Sequence, residues 1–114
     1  MHEISLIRTI ISTLEEEFPG RSEQIRGIHL KVGLLSNIQP ILMHNAFDAV
    51  RLDEPRYSRA SLHVEVLPVQ IYCGTCDLIS EIENYRFCCH RCGRPMTKLV
   101  QGEELLISQV EFDS

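Results

Sequence analysis

The sequence predicts an α/β (α+β) fold: a small mixed three-stranded sheet with two helices, plus an inserted zinc ribbon. Three observations support this prediction. Two segments have the apolar spacing of amphipathic helices, three have the alternation of strands, and two Cys-x-x-Cys pairs lie between the second and third strand segments. The chain of 114 residues has room for one domain with a small appended module.

The first helix is predicted to run from Ile4 to Phe18. Its apolar residues recur at intervals of three and four, as on one face of a helix, and Pro19-Gly20 ends it. These apolar residues are Ile4, Ile7, Ile11, Leu14 and Phe18.

The second helix is predicted to begin near Pro40, because proline suits the first helical position. Ser36 or Asn37 is expected to cap it, and residues 53–55 (Asp-Glu-Pro) end it. Its apolar face is predicted to consist of Leu42, Met43, Ala46, Phe47 and Val50.

Three further segments are predicted to be strands, since apolar and polar residues alternate in each of them. The first is Ile28–Val32, which stops at Gly33, and the second is Leu62–Val66. The third is Leu106–Phe112, after Gly102. In the third strand, one alternating set consists of Leu106, Ser108, Val110 and Phe112, and the other of Ile107, Gln109 and Glu111.

The order of these segments predicts two domains. Residues 1–69 with 101–114 are expected to form an α/β domain, and residues 70–100 the zinc ribbon.

His29 and His63 occupy polar positions of the first two strands, so they would approach each other if those strands pair. We interpret that surface as a solvated sheet face.

Charge and hydropathy exclude several classes of protein. Eleven basic and sixteen acidic residues give a net charge of −5, which does not favour a surface that follows nucleic-acid phosphates. No apolar run approaches the roughly 18 residues that a membrane span requires. The amino terminus has no basic segment before its apolar residues, so we expect no signal peptide and a cytoplasmic protein without membrane partners.

All five cysteines lie within one short segment, and their spacing predicts a structural zinc site. The pairs Cys73/Cys76 and Cys89/Cys92 are each of the Cys-x-x-Cys type, which is the arrangement of two zinc knuckles. Four thiolates leave no open coordination position, so the site is structural and not catalytic. Redox-active thiols and iron in the same cage are the alternatives. Cys88 is interpreted as a spare thiol.

Two details of the second pair bear on this assignment. Gly93, directly after Cys92, suits a knuckle because it adopts positive φ freely, whereas Asp77 at the equivalent place is less suited to it. His90 lies within the second knuckle and is interpreted as an exposed side chain, with replacement of a thiolate ligand as the alternative.

The amino-terminal residues Met1-His2-Glu3 form a second candidate metal site. The α-amine, the next amide nitrogen and the His2 imidazole are able to chelate one ion in adjacent rings. A nitrogen-rich planar set of this kind suits Ni(II) or Cu(II). Glu3 is positioned in the sequence to add an oxygen ligand or to orient the imidazole. The alternative is that His2 is a bystander.

A resemblance to a known family sharpens these interpretations. Met1-His2-Glu3 at the start of a helix, the segment 32–36 before Pro40 and Phe47, and the late Cys-x-x-Cys pair followed by Gly93 together resemble the HypA/HybF family of nickel metallochaperones. The resemblance covers essentially the whole chain. It implies a nickel-binding α/β domain with a zinc ribbon inserted near its carboxyl-terminal end.

The resemblance also implies site residues and partners. His2 and the Met1 amine would bind nickel with support from Glu3, and zinc would be held by Cys73, Cys76, Cys89 and Cys92. The implied partners are a hydrogenase-maturation GTPase and the precursor of the hydrogenase large subunit. Proteins of urease maturation are further partners in some bacteria. No enzymatic activity is implied.

The chain departs from the family pattern at two positions. Family members often carry carboxylates where Gln39 and Ile41 stand here. Gln39 offers only a neutral carbonyl, which leaves the nickel shell poorer in negative charge.

Two other functions compete with the nickel carrier. A zinc-ribbon adaptor for nucleic acid or transcription machinery would use the local positive charge of Arg86, Arg91, Arg94 and Lys98, but the acidic chain and the few aromatic residues nearby disfavour it. A rubredoxin-like electron carrier is disfavoured by the spacing of the pairs and by the added α/β domain.

Overall fold

The computed structural model of the protein describes residues 3–95 and 98–113. In these residues, two helices alternate with the first two strands, with 3-10 turns before the first strand, the second helix and the second strand, and four further strands then follow one another. They are α1 (Glu3–Glu17), β1 (Ile25–Gly33), α2 (Pro40–Asp53), β2 (Ser61–Leu67), β3 (Gln70–Cys73), β4 (Leu78–Glu81), β5 (Lys98–Gln101) and β6 (Leu105–Phe112). The predicted α/β fold class is confirmed.

The strands form two separate three-stranded sheets. In the first, β1 lies in the centre, parallel to β2 and antiparallel to β6, so this sheet is mixed as predicted. The helix α2 connects the parallel pair, which requires a crossover. The second sheet has the order β4-β3-β5 and is antiparallel throughout. Its strands lie in the segment predicted as the ribbon, except that β5 extends to Gln101.

The main hydrophobic core lies between the two helices and one face of the first sheet. Residues Ile7 and Leu14 of α1, Phe47 of α2 and Ile28 of β1 are almost completely buried there. A second cluster, formed by Val69, Ile71 and Ile82, lies under the ribbon sheet. None of the helices in residues 3–95 and 98–113 is long and apolar enough to cross a membrane.

The start of α2 differs from the prediction. The helix begins at Pro40, but its capping position is Gln39, which makes no side-chain capping bond. Ser36 instead donates a hydrogen bond to the Gly33 carbonyl over 2.6 Å, and Asn37 adopts the left-handed conformation with φ of 62°. The proposed caps were wrong because both residues turn the chain before the helix begins.

Three residues assigned to apolar faces are exposed. Ile4 at the start of α1 is 47% exposed, and Leu42 near the start of α2 is 40% exposed. Leu106 of β6 is 51% exposed, whereas its neighbour Ile107 packs on the core. The pairing of β1 with β6 shifts between His29 and Leu30, opposite the extra residue Ser108. This bulge reverses the alternation within the strand, so Ile107, and not Leu106, shares the core-facing side with Val110 and Phe112.

Candidate metal centre

Two turns of the chain carry the four cysteines of the Cys-x-x-Cys pairs. Cys73 ends β3, and Cys76 lies in the tight turn that leads into β4. Cys89 and Cys92 lie in the second turn, between β4 and β5. The antiparallel hairpin thus fixes the position of one pair, and the second turn places the other pair opposite it.

The four thiols converge on one point. The sulfur atoms of Cys73, Cys76, Cys89 and Cys92 all lie within 4.8 Å of one another. The Sγ atoms of Cys73 and Cys92 are 3.7 Å apart. Four thiolates about 2.3 Å from a tetrahedral zinc ion have sulfur–sulfur distances of about 3.8 Å. The spacing of the cluster therefore fits a four-coordinate zinc ion.

Both turns have the backbone of a knuckle. Gly93 has a φ of 73°, as the sequence indicated, and the less suited Asp77 also adopts the left-handed region, with a φ of 49°. In the second turn, the Arg91 N–H points to the Cys89 sulfur at 3.4 Å, and the Gly93 N–H bonds to the Cys89 carbonyl over 2.9 Å. The Arg91 N–H thus directs its partial positive charge toward a thiolate, while the Gly93 N–H closes the turn through the backbone.

The pKa is shifted in different directions for different thiols of the cluster. Backbone N–H groups of Cys92 and Arg91 lower the pKa of Cys89 to about 6, and the backbone N–H of Cys76 lowers the pKa of Cys73. Desolvation, followed by the neighbouring sulfurs, raises the pKa of Cys76 to about 12. The four sulfurs do not all ionise together without a compensating positive charge. A divalent cation bound among the four sulfurs would supply that charge.

Sequence reasoning missed two polar residues that support the turns. The Tyr72 hydroxyl donates a hydrogen bond to Asp77 Oδ1 over 2.7 Å, across the first turn. The Ser80 hydroxyl accepts the His90 N–H over 3.2 Å, and Ser80 is only 3% exposed. The available signal for Ser80 was its position between Leu78 and Ile82, where a strand places all three residues on one face.

The remaining residues of this segment lie away from the four sulfurs or on the surface. Cys88 is half-buried and forms an isolated bridge with Pro95, outside the four-sulfur cluster. The His90 side chain is exposed. Arg94 donates a hydrogen bond to Thr75 Oγ1 over 3.0 Å, which links the two turns.

The predicted nickel residues are described only in part. Met1 and His2 lie outside the described residues. Glu3 opens α1 and is half-buried. Gln39 is exposed immediately before α2, and Ile41 in the first turn of that helix is 62% exposed.

Comparison with known proteins gives this geometry a context. The family model described as hydrogenase/urease nickel incorporation, metallochaperone, HypA, matches residues 1–112. The chain belongs to the HypA family.

Curated HypA relatives match over almost their full length. The hydrogenase maturation factor HypA of Campylobacter jejuni is 31% identical over 106 residues, which are 92% of this chain and 93% of that protein. HypA of Shewanella baltica is 28% identical over 114 residues, and 99% of this chain and 97% of that protein are covered. The hydrogenase maturation factor HybF of Klebsiella pneumoniae is 27% identical over 112 residues, 97% of this chain and 98% of that protein.

Two solved structures share the fold. The solution structure of the nickel metallochaperone HypA from Helicobacter pylori superimposes with a TM-score of 0.69 at 22% identity, over 100% of this chain and 99% of that one. A second HypA solution structure gives a TM-score of 0.71 at 22% identity, over 98% of this chain and 96% of that one. The predicted α/β domain with a ribbon is thus the HypA fold.

Proposed function

We propose that this protein is a nickel metallochaperone that delivers Ni(II) during maturation of a nickel enzyme, with nickel–iron hydrogenase as its target. The observation that carries the proposal is the HypA family match over residues 1–112, which includes the amino-terminal Met-His-Glu. The protein acts as a carrier and not as an enzyme. It contains no Gly-x-x-x-x-Gly-Lys-Ser/Thr sequence, so nucleotide hydrolysis in the delivery step comes from a partner.

The four-cysteine cluster is proposed to hold one structural Zn(II). The support is the convergence of four sulfurs within 4.8 Å and the backbone N–H groups that stabilise the Cys73 and Cys89 thiolates. A closed four-thiolate shell offers no exchangeable position to a second ligand. The zinc therefore organises residues 70–100, while the cargo ion binds elsewhere.

Nickel is proposed to bind at the amino terminus as cargo. The Met1 amine and the His2 imidazole supply nitrogen ligands, and Glu3 supports them. A terminus has few backbone constraints around the ion, so the ion leaves readily toward an acceptor. The exposed Gln39 adds no negative charge to this shell.

Three further assignments belong to this proposal. Residues 1–69 with 101–114 form the nickel-binding domain, and residues 70–100 form the ribbon domain. The partners are a maturation GTPase and the hydrogenase large-subunit precursor, with urease maturation proteins as further recipients. The protein works in the cytoplasm, where a reducing environment keeps five unpaired thiols reduced.

The test is a nickel titration by calorimetry on zinc-loaded, tag-free protein with its native amino terminus. His2→Ala is expected to abolish the tightest nickel-binding event without loss of zinc, and acetylation of the amine is expected to weaken it. Glu3→Gln should weaken it less. Lowering the pH from about 7.5 to 5.5 should also weaken binding, because imidazoles and α-amines ordinarily titrate near 6.5 and 7.7–8.0.

The matched control for this titration is His44→Ala, which removes an imidazole from α2 and should leave the tightest event unchanged. Equal nickel affinity in native and His2→Ala protein would contradict the carrier mechanism. Thiolate-to-nickel charge-transfer absorption would contradict it as well, since it would place nickel on the cysteines.

A further inference from the structure

The face of the first sheet opposite the helices carries two histidines in direct contact. His29 of β1 and His63 of β2 are register partners in the parallel ladder. Their imidazole rings are stacked, with centroids 4.4 Å apart and an angle of 11° between the planes. The His63 side chain is exposed, and the His29 side chain is 28% exposed. Both rings are therefore accessible from solvent.

A carboxylate from the third strand reaches the same place. Glu111 of β6 is paired with Gly27, and its Oε1 atom lies 2.5 Å from Nε2 of His29. A Cβ atom at Gly27 would lie 3.1 Å from Glu111 Cδ and 3.3 Å from Oε2. The missing side chain at Gly27 thus lets the carboxylate lie across β1 and reach the imidazole.

The surrounding charges leave this surface with one excess negative charge. Lys31 and Glu65 are register partners two residues beyond the histidines, so their formal charges offset each other. Glu111 remains when the imidazoles are neutral. An open groove of about 430 Å3 runs over this face, and both histidines, Lys31 and Glu65 contribute to its lining. The groove has space for an ion with bound water.

We propose that His29, His63 and Glu111 form a second metal site, which takes a divalent first-row transition ion and for which Ni(II) is the probe. Two imidazoles with one carboxylate and open positions are a ligand set for such ions. Each imidazole binds an ion through the lone pair of a ring nitrogen, so the hydrogen bond between His29 Nε2 and Glu111 Oε1 breaks if that nitrogen is the ligand.

The separation of the rings suits this role. For metal–nitrogen distances of about 2.1 Å, two imidazoles at a right angle on one ion have ring centres about 4.5 Å apart. The observed centroids are 4.4 Å apart, so the strands hold the two rings at the separation that a shared ion requires. The rings are stacked at 11°, so each must rotate to direct a nitrogen at that ion. The alternative is a stacked pair with an ion pair to Glu111 and no metal affinity.

This site is independent of the proposed amino-terminal site, and the test keeps the two apart. Zinc-loaded His2→Ala protein is titrated with Ni(II) by calorimetry, alone and combined with His63→Ala. The combination His2→Ala/His44→Ala is the matched control, since it also removes one further imidazole. We expect His2→Ala and the control to bind one Ni(II) each with equal affinity, and His2→Ala/His63→Ala to lose this binding. Replacement of Glu111 by Gln should weaken it several-fold.

A second readout locates the ion. Paramagnetic Ni(II) should broaden the ring-proton resonances of His29 and His63 before those of His44 in NMR spectra of the His2→Ala protein. No nickel binding by the His2→Ala protein, or binding that persists in His2→Ala/His63→Ala, would overturn the proposal. Either result leaves the amino-terminal site unaffected, because that site is tested by the difference between native and His2→Ala protein. Circular dichroism and zinc content verify that each variant is folded.

Discussion

A methyl group on Gly33 would lie 2.0 Å from the carbonyl carbon of Gly102. The two glycines therefore bring their backbones closer together than any side chain at position 33 allows. Hydrogen bonds run across this contact, from the Gly33 N–H to the Glu104 carbonyl over 2.8 Å and from the Leu35 N–H to the Gly102 carbonyl over 2.7 Å. The contact fastens the end of β1 to the segment that enters β6.

Gly33→Ala should strongly destabilise the protein, because the new Cβ meets backbone atoms, which cannot rotate away. We expect a loss of about 3 kcal/mol or more in the free energy of unfolding, at the upper end of the usual range for overpacking. Urea denaturation of zinc-loaded protein measures it. Gly20→Ala is the control: its φ of 76° costs about 1 kcal/mol, but its Cβ meets nothing within 4 Å. Equal losses in the two variants would contradict the steric explanation.

Each of the four clustered cysteines should be required for zinc. Replacement of Cys73, Cys76, Cys89 or Cys92 by Ser is expected to release the metal and unfold the ribbon, since structural zinc contributes about 10–16 kcal/mol of apparent binding energy in small modules. Elemental analysis gives zinc per chain, and NMR spectra report the folding of the ribbon. Cys88→Ser is the matched control and should retain full zinc. Loss of zinc in Cys88→Ser together with its retention in Cys89→Ser would show that the ligand assignment is wrong.

Tyr57 should limit stability in alkaline solution. It is fully buried, donates a hydrogen bond to Ser22 Oγ over 3.4 Å, and has a pKa raised above its ordinary value of about 10, mainly by burial. The unfolded chain then loses the phenol proton first. The Tyr57 contribution to stability is therefore complete below pH 10 and declines as the pH rises through the folded-state pKa.

Replacement of Tyr57 by Phe is expected to cost up to about 1 kcal/mol near neutral pH, as the loss of one hydrogen bond does. The cost should shrink above pH 10, because phenylalanine has no proton to lose. Urea unfolding at a series of pH values measures this difference. Tyr85→Phe, at a site that is 66% exposed, should follow the native protein throughout. A pH-independent cost at Tyr57 would disprove the titration argument.

A maturation GTPase should bind the protein without help from nucleic acid. We expect the purified GTPase to be retained by the zinc-loaded protein in a pull-down, and nuclease treatment to have no effect. Arg86→Ala and Arg91→Ala, which alter exposed ribbon charges, should leave the interaction intact. A complex that forms only with DNA or RNA would favour the adaptor function instead.

Helix positions could be predicted from the sequence because helical periodicity and proline are local signals. The first helix was predicted as Ile4–Phe18 and is Glu3–Glu17, and the second begins at Pro40 as expected. The cysteine cluster could be predicted equally well, since two Cys-x-x-Cys pairs leave few ways for four sulfurs to converge. Both His29 and His63 were placed at polar positions of their strands by the alternation of apolar and polar residues. Their contact then required only that the two strands be neighbours, as they are.

Features that depend on register between distant strands could not be predicted. The extra residue Ser108 in β6 moves Ile107 inward and Leu106 outward, and only the pairing with β1 reveals it. The approach of Glu111 to His29 depends on the same pairing and on the space above Gly27. The short strands of the ribbon were missed because each has only four residues, too few for a clear alternation.

The insertion of the ribbon between β2 and β6 has a kinetic consequence. The central strand β1 is complete only when β6 arrives, and the entire ribbon lies in the intervening loop. Closure of a long flexible loop costs more conformational entropy than closure of a short one. A ribbon folded around a bound metal would shorten the flexible part of that loop, so we expect metal binding to speed the pairing of β6 with β1.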